Sequence, residues 1–216
     1  MLKKKINGQF DVVISNPPFS VELDTDTKKS LSNSFIFGDK KNSENLFIER
    51  YYHLLRENGR MGIVLPESVY DTTENKYIRL FIYKYFTVKA VVSLPQVTFS
   101  PYTNTKTSII FAQKKTAKQI EKWNTQWEHY SKKWGRLKTR CENIVDVYLN
   151  GKDRNKLRSI KDLNPVREKW LLQCLLKSHF SDKDKSLDIA DLVVKYADDI
   201  ADICKPDKDL KDVLDL

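Results

Sequence analysis

Short apolar runs alternate with amphipathic stretches over the first half of the chain. Runs rich in apolar residues cover Phe10 to Ile14, which Asp11 interrupts, Met61 to Leu65, Val88 to Leu94 and Thr107 to Gln113. Turn-forming residues follow most of these runs. The pattern predicts four strands, and the first run is typical of a strand that is covered on both faces.

Helical spacing fills the gaps between these strands. Asn42 or Ser43 can cap a first helix, and Gly59 is its predicted stop. Its apolar face consists of Phe47, Tyr51, Leu54 and Leu55. A second helix is capped by Thr73, and its apolar face consists of Tyr77, Ile78, Phe81 and Tyr85. The polar stretch from Ser20 to Lys41 has no clear period and is predicted to be a long loop.

The resulting order is strand, helix, strand, helix, strand, strand. The last two strands are joined by about a dozen residues, too few for a crossover helix, so we expect them to pair antiparallel. This order predicts an α/β fold, namely half of a doubly wound sheet with a terminal antiparallel hairpin. The sequence contains no GxGxxG-like turn.

Beyond residue 115 the chain becomes helical and highly charged. Apolar residues recur there at alternating spacings of three and four, which is a heptad pattern. They are Ile120, Trp123, Trp127, Tyr130, Trp134, Leu137, Cys141, Ile144 and Tyr148. Gly151 can end this helix, and two more helices are predicted, at Val166 to Lys177 and Ser186 to Cys204. We therefore expect a partial catalytic domain over residues 1–115 and a helical arm with C-terminal helices over 116–216.

Composition and charge narrow the choice of partner. The 216 residues are 40% apolar and carry a formal net charge of +9. That charge is unevenly distributed, with +6 over residues 1–115, +8 over 116–180 and −5 over 181–216. A basic body with an acidic tail favours a polyanionic partner, although solvated charge alone often gives such values.

The cysteines and the hydropathy argue against a zinc-binding, disulfide-rich, membrane-spanning or secreted protein. Cys141, Cys174 and Cys204 are widely spaced and form no CxxC pair, so neither a zinc site nor a disulfide framework is indicated. No apolar run approaches the roughly 20 residues that would span a bilayer, and no signal-peptide core follows the first lysines. We expect a cytoplasmic protein with no metal.

The tetrapeptide Asn16-Pro17-Pro18-Phe19 follows the first predicted strand, at the end where ligands bind in open parallel sheets. The Asn16 side-chain oxygen and the Pro17 carbonyl are acceptors, and proline brings no competing N–H. Together they could hold a planar amino group and aim its lone pair at an electrophile. Phe19 offers a flat face for an aromatic ring. The alternative is a strand that ends in a proline turn with a buried phenylalanine.

Three stretches together resemble the S-adenosylmethionine-dependent amino-group methyltransferases with the (N/D/S)PP(Y/F) motif. Besides the tetrapeptide, GRMGIVLPESVY at Gly59 to Tyr70 and VTFSPYTNTKTSIIFAQKK at Val97 to Lys115 are similar to the methylation subunits of type I restriction-modification systems. The resemblance covers about residues 8 to 115. It implies a Rossmann-like methyltransferase sheet and the transfer of a methyl group to adenine N6 in DNA.

The resemblance also implies roles for individual residues. Asn16 and Pro17 would hold the adenine amino group, and Phe19 would stack on the base, which must be flipped out of the duplex. Phe99 or Tyr102 would pack on the other side of the base. Lys106 would meet a phosphate, or would be a solvated loop lysine.

The partners implied are DNA, a specificity subunit that the heptad helix would contact, and a second methylation subunit. Members of this family carry their cofactor glycine turn ahead of the NPPF motif, and this chain lacks it, so its cofactor-binding residues are unknown. We expect the chain to be inactive alone, because it corresponds to the C-terminal part of a methylation subunit. The free edge of its first strand predicts self-association or pairing with a complementary N-terminal half.

Two other functions are also compatible with the sequence. The chain could be a non-catalytic fragment that binds DNA or a partner subunit through its basic body and its heptad helix. Motifs of the NPP(Y/F) type also occur in enzymes that act on RNA bases or on protein glutamine, although the hairpin around Thr107 favours DNA.

Overall fold

The structure is a computed structural model, and it describes residues 6–19, 21–40, 43–150, 165–176, 180–205, 207, 210–211 and 213. The strands are β1 (Phe10–Ser15), β2 (Leu55–Pro66), β3 (Phe86–Ser93) and β4 (Thr107–Lys114). The helices of the first half are α1 (Thr25–Ser32), α2 (Ser43–Leu54), α3 (Ser68–Asp71) and α4 (Lys76–Tyr85). Those of the second half are α5 (Ala117–Asn150), α6 (Pro165–Leu175), α7 (Ile189–Lys195) and α8 (Ala197–Cys204).

The four strands form one sheet in the order β1-β2-β4-β3. β1 and β2 are parallel, with Ser15 opposite Ile63. β4 is antiparallel to both β2 and β3, and its Ile110 lies between Ile63 and Val91. The predicted α/β class is therefore confirmed, and so is the antiparallel pairing of the last two strands.

The core of this sheet lies on one face only. Met61, Ile63 and Leu65 alternate along β2 and are buried against α4. All four residues of the predicted apolar face of α4 are buried, namely Tyr77, Ile78, Phe81 and Tyr85. The 3.6-residue period thus identified the face of this helix that packs on the sheet.

The opposite face of the sheet is apolar and exposed, which makes the prediction of a doubly covered first strand wrong. Ile14 of β1 is 84% exposed, and Val12 beside it is also exposed. Gly62 and then Phe111 follow Ile14 across the sheet in register, and Phe111 is exposed as well. Among the described residues no helix covers this surface, which we call the outer face.

The first long helix ends earlier than the glycine signal predicted. α2 ends at Leu54 and β2 begins at Leu55, so Gly59 lies inside a strand and is not a helix stop. The Lys114 ammonium group donates to the carbonyls of Tyr52 and Leu55, at 2.7 Å each. A cation at the carbonyl end of a helix satisfies orphan acceptors and complements the helix dipole. Lys114 therefore takes the place of a local cap.

Two local predictions near the motif also need correction. Residues 25–32 form α1 and not a loop, because the Asp24 side chain accepts a hydrogen bond from the Thr27 amide at 2.9 Å and caps the helix. α1 buries no residue, so it has no apolar period to detect. The cap residue of α4 is Asn75 and not Thr73, and its side chain donates to the Ser68 carbonyl at 2.9 Å. Asn42, the alternative cap of α2, lies outside the described residues.

Residues Met1–Thr125 with Asp207–Leu216 form one compact unit, and Gln126–Pro206 form another. The predicted domain boundary at residues 115/116 stays a prediction. α5 is one helix of 34 residues, as the heptad pattern predicted, and Gly135 lies inside it. The side chains of Ile144 and Tyr148 lie outside the described residues, and so does Gly151. None of the described helices combines the length and the apolar character that crossing a bilayer requires.

The second unit has a core of its own, to which Cys141 of α5, Leu172 of α6 and Leu192 of α7 contribute. The predicted helix from Ser186 to Cys204 is in fact interrupted at Tyr196, which leaves helical geometry at φ −115° and ψ 21°. The Tyr196 hydroxyl donates to the buried Asp184 carboxylate at 2.6 Å. The α6 prediction holds from Val166 to Leu175, whereas Lys177 lies outside the described residues.

Candidate active site

The Asn-Pro-Pro-Phe motif lies directly after β1, at the edge of the sheet where the parallel strands β1 and β2 both end. Asn16 and Pro18 are exposed, Pro17 is buried and Phe19 is half-buried. An exposed amide beside a buried proline presents polar atoms to solvent from a fixed backbone. This is the position at which open α/β sheets bind their ligands.

Helix α2 holds the motif on both sides. Before it, the Ser15 and Tyr51 hydroxyls are hydrogen-bonded at 2.6 Å. After Asn16 and Pro17, the Ser43 hydroxyl donates to the Pro18 carbonyl at 3.4 Å. Burial raises the pKa of Tyr51, and the bond to Ser15 partly offsets this. The two contacts connect α2 to the residue before Asn16 and to the residue after Pro17.

The hairpin loop between β3 and β4 contacts the motif through one aromatic residue. The rings of Phe19 and Phe99 are 5.6 Å apart between centroids and meet edge to face, at 78°. Such pairs are worth about 0.5–1.5 kcal/mol beyond the area they bury. The structure thus brings together two of the predicted aromatic residues from distant parts of the sequence.

The other two predicted loop residues are placed differently. Tyr102 is 94% exposed. The Lys106 ammonium group donates to the Ser93 hydroxyl at 2.8 Å and to the Leu94 carbonyl, so it closes the base of the loop. The roles of Tyr102 at a base and of Lys106 at a phosphate stay predictions.

Sequence reasoning missed the residues that position the motif. Tyr51 was included only as a member of an apolar helix face, and Ser43 only as a helix cap. A tyrosine on a buried helix face carries a hydroxyl that needs a partner, which was the available signal. No sequence signal could have identified Ser15 as that partner, because the two residues are far apart along the chain.

The described residues do not build a cofactor cradle of the kind that a glycine turn provides. Gly59 and Gly62 both lie within β2. A Cβ on Gly59 would meet the Arg56 and Phe10 carbonyls, and one on Gly62 would meet the Phe111 ring. These glycines allow close approach within the sheet and do not open a site for a ligand. The described residues therefore provide no glycine cradle for S-adenosylmethionine.

Comparison with known proteins identifies relatives of the chain. The family model "N-6 DNA Methylase" matches residues 2–171. The type I restriction enzyme MpnII methylase subunit of Mycoplasma pneumoniae is 29% identical over 173 residues, which cover 75% of this chain and 32% of that protein. The EcoEI methylase subunit of Escherichia coli is 27% identical over 104 residues, 48% of this chain and 21% of that protein.

A solved structure concerned with complex assembly and conformational transition of the type I R-M system is 28% identical. It aligns with a TM-score of 0.43 over 52% of this chain and 23% of its own. The chain thus spans about a fifth to a third of the length of these relatives.

Proposed function

The chain belongs to the N-6 DNA methylase family, and we propose that it is the target-base part of an adenine-N6 DNA methyltransferase, of the kind found in type I modification subunits. The observation that carries this proposal is the placement of Asn16-Pro17-Pro18-Phe19 at the carboxyl end of β1, with Phe99 in ring contact with Phe19. The family resemblance of these residues and the geometry of the sheet edge both support it.

The chemistry follows from the acceptors at this edge. Adenine N6 has two N–H bonds, which the Asn16 side-chain oxygen and the Pro17 carbonyl would accept. Both bonds would draw the nitrogen lone pair out of conjugation with the ring. Phe19 would stack on the flipped base, an interaction worth roughly 1–3 kcal/mol. Phe99 already contacts Phe19, so it would line the same base pocket.

S-adenosylmethionine is the methyl donor of this family, and we propose that residues outside this sequence supply its site. The outer face and the free edge of β1 support this, because parallel sheets are normally buried on both faces and open edges pair with other chains. The chain alone would self-associate through the same surface. Light scattering that showed a monodisperse, stable monomer would contradict this part of the proposal.

The first experiment is a calorimetric titration of S-adenosylmethionine into the chain, alone and with the complementary N-terminal half. We expect no binding alone and binding with both halves present. Micromolar binding by the chain alone would contradict the need for a second half.

Transfer of a labelled methyl group is then measured on DNA, RNA and protein substrates with both halves present. We expect transfer to duplex DNA, and Asn16→Ala should lower the rate by about 10²–10³, the usual effect of losing one directed polar contact in an active site. Asn33→Ala, which changes an exposed asparagine after α1, serves as the matched control. Transfer to RNA or to glutamine instead of DNA would overturn the substrate assignment.

The exposed aromatic residues of α5 support a second candidate function, which is binding of a specificity subunit. Tyr130 and Trp134 are 63% and 46% exposed, although both belong to the heptad stripe. Exposed aromatic residues at heptad positions fit a contact with another long helix. We expect Trp127→Ala and Trp134→Ala to weaken assembly with a specificity subunit in pull-down titrations. Unchanged assembly would contradict this role.

A further inference from the structure

The face of α5 opposite its aromatic stripe carries a basic groove. Within the part of α5 that belongs to the second unit, three basic residues recur every four positions, namely Lys132, Arg136 and Arg140. A groove of about 560 Å³ runs along them. Among the described residues it is lined by Lys132, Gly135, Arg136, Thr139, Arg140 and Asn143.

Helix geometry separates this groove from the aromatic stripe. Each residue of an α-helix is rotated by about 100° from the one before it. On that basis the centre of the groove lies about half a turn of rotation from the centre of the stripe formed by Trp127, Tyr130 and Trp134. The two surfaces can therefore take different partners at the same time.

The groove has excess positive charge. Over residues 126–143 there are five lysines and arginines and two glutamates. Lys132 pairs with Glu128 at 2.6 Å, but both side chains are well exposed, and such pairs contribute little stability. Arg140 pairs with the buried Glu168 of α6. The described part of the chain places no carboxylate against Arg136, which is exposed.

We propose that this groove binds the phosphate backbone of double-stranded DNA. Arginine, lysine, threonine and asparagine are the side chains that hydrogen-bond phosphate oxygens, and the groove contains all four. A four-residue step along the helix advances about 6 Å, so the cations form a regular row. Among the described residues, the lining includes no aromatic anchor of the kind that dominates protein interfaces. This favours a nucleic acid over an acidic protein.

The groove does not depend on methyl transfer, so this proposal goes beyond the function proposed above. It predicts a sequence-independent contact made by the helical unit, whereas the Asn-Pro-Pro-Phe motif would act on one base. Loss of methyl transfer would leave duplex binding by the groove intact, and loss of groove binding would leave the motif intact. The two proposals can therefore fail separately.

The test is fluorescence anisotropy of the full chain with a labelled 20-base-pair duplex over a salt series. Each phosphate contact contributes about 0.9 to the slope of log affinity against log salt. Lys132→Ala with Arg136→Ala should therefore lower the slope by about 1.8, which corresponds to roughly 60-fold weaker binding at 0.1 M salt. Arg140 is left unchanged in this variant because of its bond to Glu168.

Lys183→Ala with Lys205→Ala is the matched control, because it removes the same charge from exposed positions of the same unit outside the groove. We expect the slope of log affinity against log salt for this control to stay within 0.5 of that for the unmodified chain. The groove variant and the control should both keep the helical circular dichroism signal of the unmodified chain. Equal losses in the two variants would assign the effect to net charge and overturn the proposal. Unchanged duplex affinity with lost binding of a specificity subunit would assign the groove to a protein partner and also overturn it.

Discussion

The segment that leads from the motif to α2 is held by one buried carboxylate, and this gives a quantitative prediction. Glu49 of α2 is 1% exposed and accepts hydrogen bonds from the Ile36 and Phe37 amides at 2.9 and 3.0 Å. The His53 imidazole lies 3.5 Å from the same carboxylate. Without Glu49, two backbone donors would lose their partners in a buried or half-buried position.

Each orphaned buried donor costs about 1–3 kcal/mol. Glu49→Ala should therefore cost about 2–6 kcal/mol, whereas Glu49→Gln keeps one acceptor and should cost about 1–3 kcal/mol. A local cost of 2 kcal/mol corresponds to a roughly 30-fold larger equilibrium constant for opening the segment, and so to roughly 30-fold faster amide exchange. The expected order of stability is thus the unmodified chain, then the glutamine variant, then the alanine variant.

Amide hydrogen exchange of the peptide covering residues 33–40 is the assay, with urea unfolding followed by circular dichroism beside it. Glu74→Ala changes an exposed glutamate of the same unit and should stay within about 0.5 kcal/mol of the unmodified chain. If exchange of this peptide in Glu49→Ala were within threefold of the unmodified chain, the carboxylate would not be holding the segment and the reasoning would be refuted.

Three further predictions concern charged side chains that are buried or half-buried. Arg140→Ala should cost about 3–5 kcal/mol, because it strands the fully buried Glu168 carboxylate. Glu168→Gln should lower the free energy of unfolding by less, since the Arg140 side chain is 22% exposed and can reach water. Urea unfolding of both variants measures the two losses, and a larger loss for Glu168→Gln would contradict the prediction. Hydrogen bonds from Lys195, Tyr196 and Ser181 lower the pKa of Asp184 in the folded protein. The ionised carboxylate therefore stabilises the fold above about pH 4, the pKa of an aspartate in the unfolded chain, and this stabilisation is lost as the pH falls further. The melting temperature measured between pH 2.5 and 6 should show this loss, and Asp184→Asn should make the melting temperature depend less on pH. Parallel pH profiles for the variant and the unmodified chain would contradict this role of Asp184. Lys114→Met should cost about 1–3 kcal/mol for each of the two carbonyls that lose their donor, Tyr52 in α2 and Leu55 at the start of β2. A loss below 0.5 kcal/mol in urea unfolding would show that water replaces the ammonium group.

Local signals predicted much of the first unit. The apolar face of α4 was identified by its period and the hairpin by its short connection, because both are properties of neighbouring residues. The position of Asn16 after a strand was identified in the same way. The ends of elements were harder, since α2 passes directly into β2, and the residue that caps it, Lys114, lies at the end of β4, 59 to 62 residues further along the sequence.

The contacts that complete the candidate site depend on chain folding and not on local pattern. Ser15 meets Tyr51 and Pro18 meets Ser43 only because α2 packs beside β1. α1 was missed for a different reason, because it buries nothing and its only sequence signal is the cap at Asp24. Burial of β1 was overpredicted, since an apolar run shows that a strand can be covered but not that this chain covers it.

The outer face of the sheet has a consequence for how much of the protein a cell would hold. Proteases and chaperones act on exposed apolar surface, and a protein that displays it is removed faster than one that does not. Chains that have a partner over Ile14 and Phe111 would be protected, and the surplus would be degraded. We therefore expect the cellular amount of this chain to follow the supply of whatever covers that face.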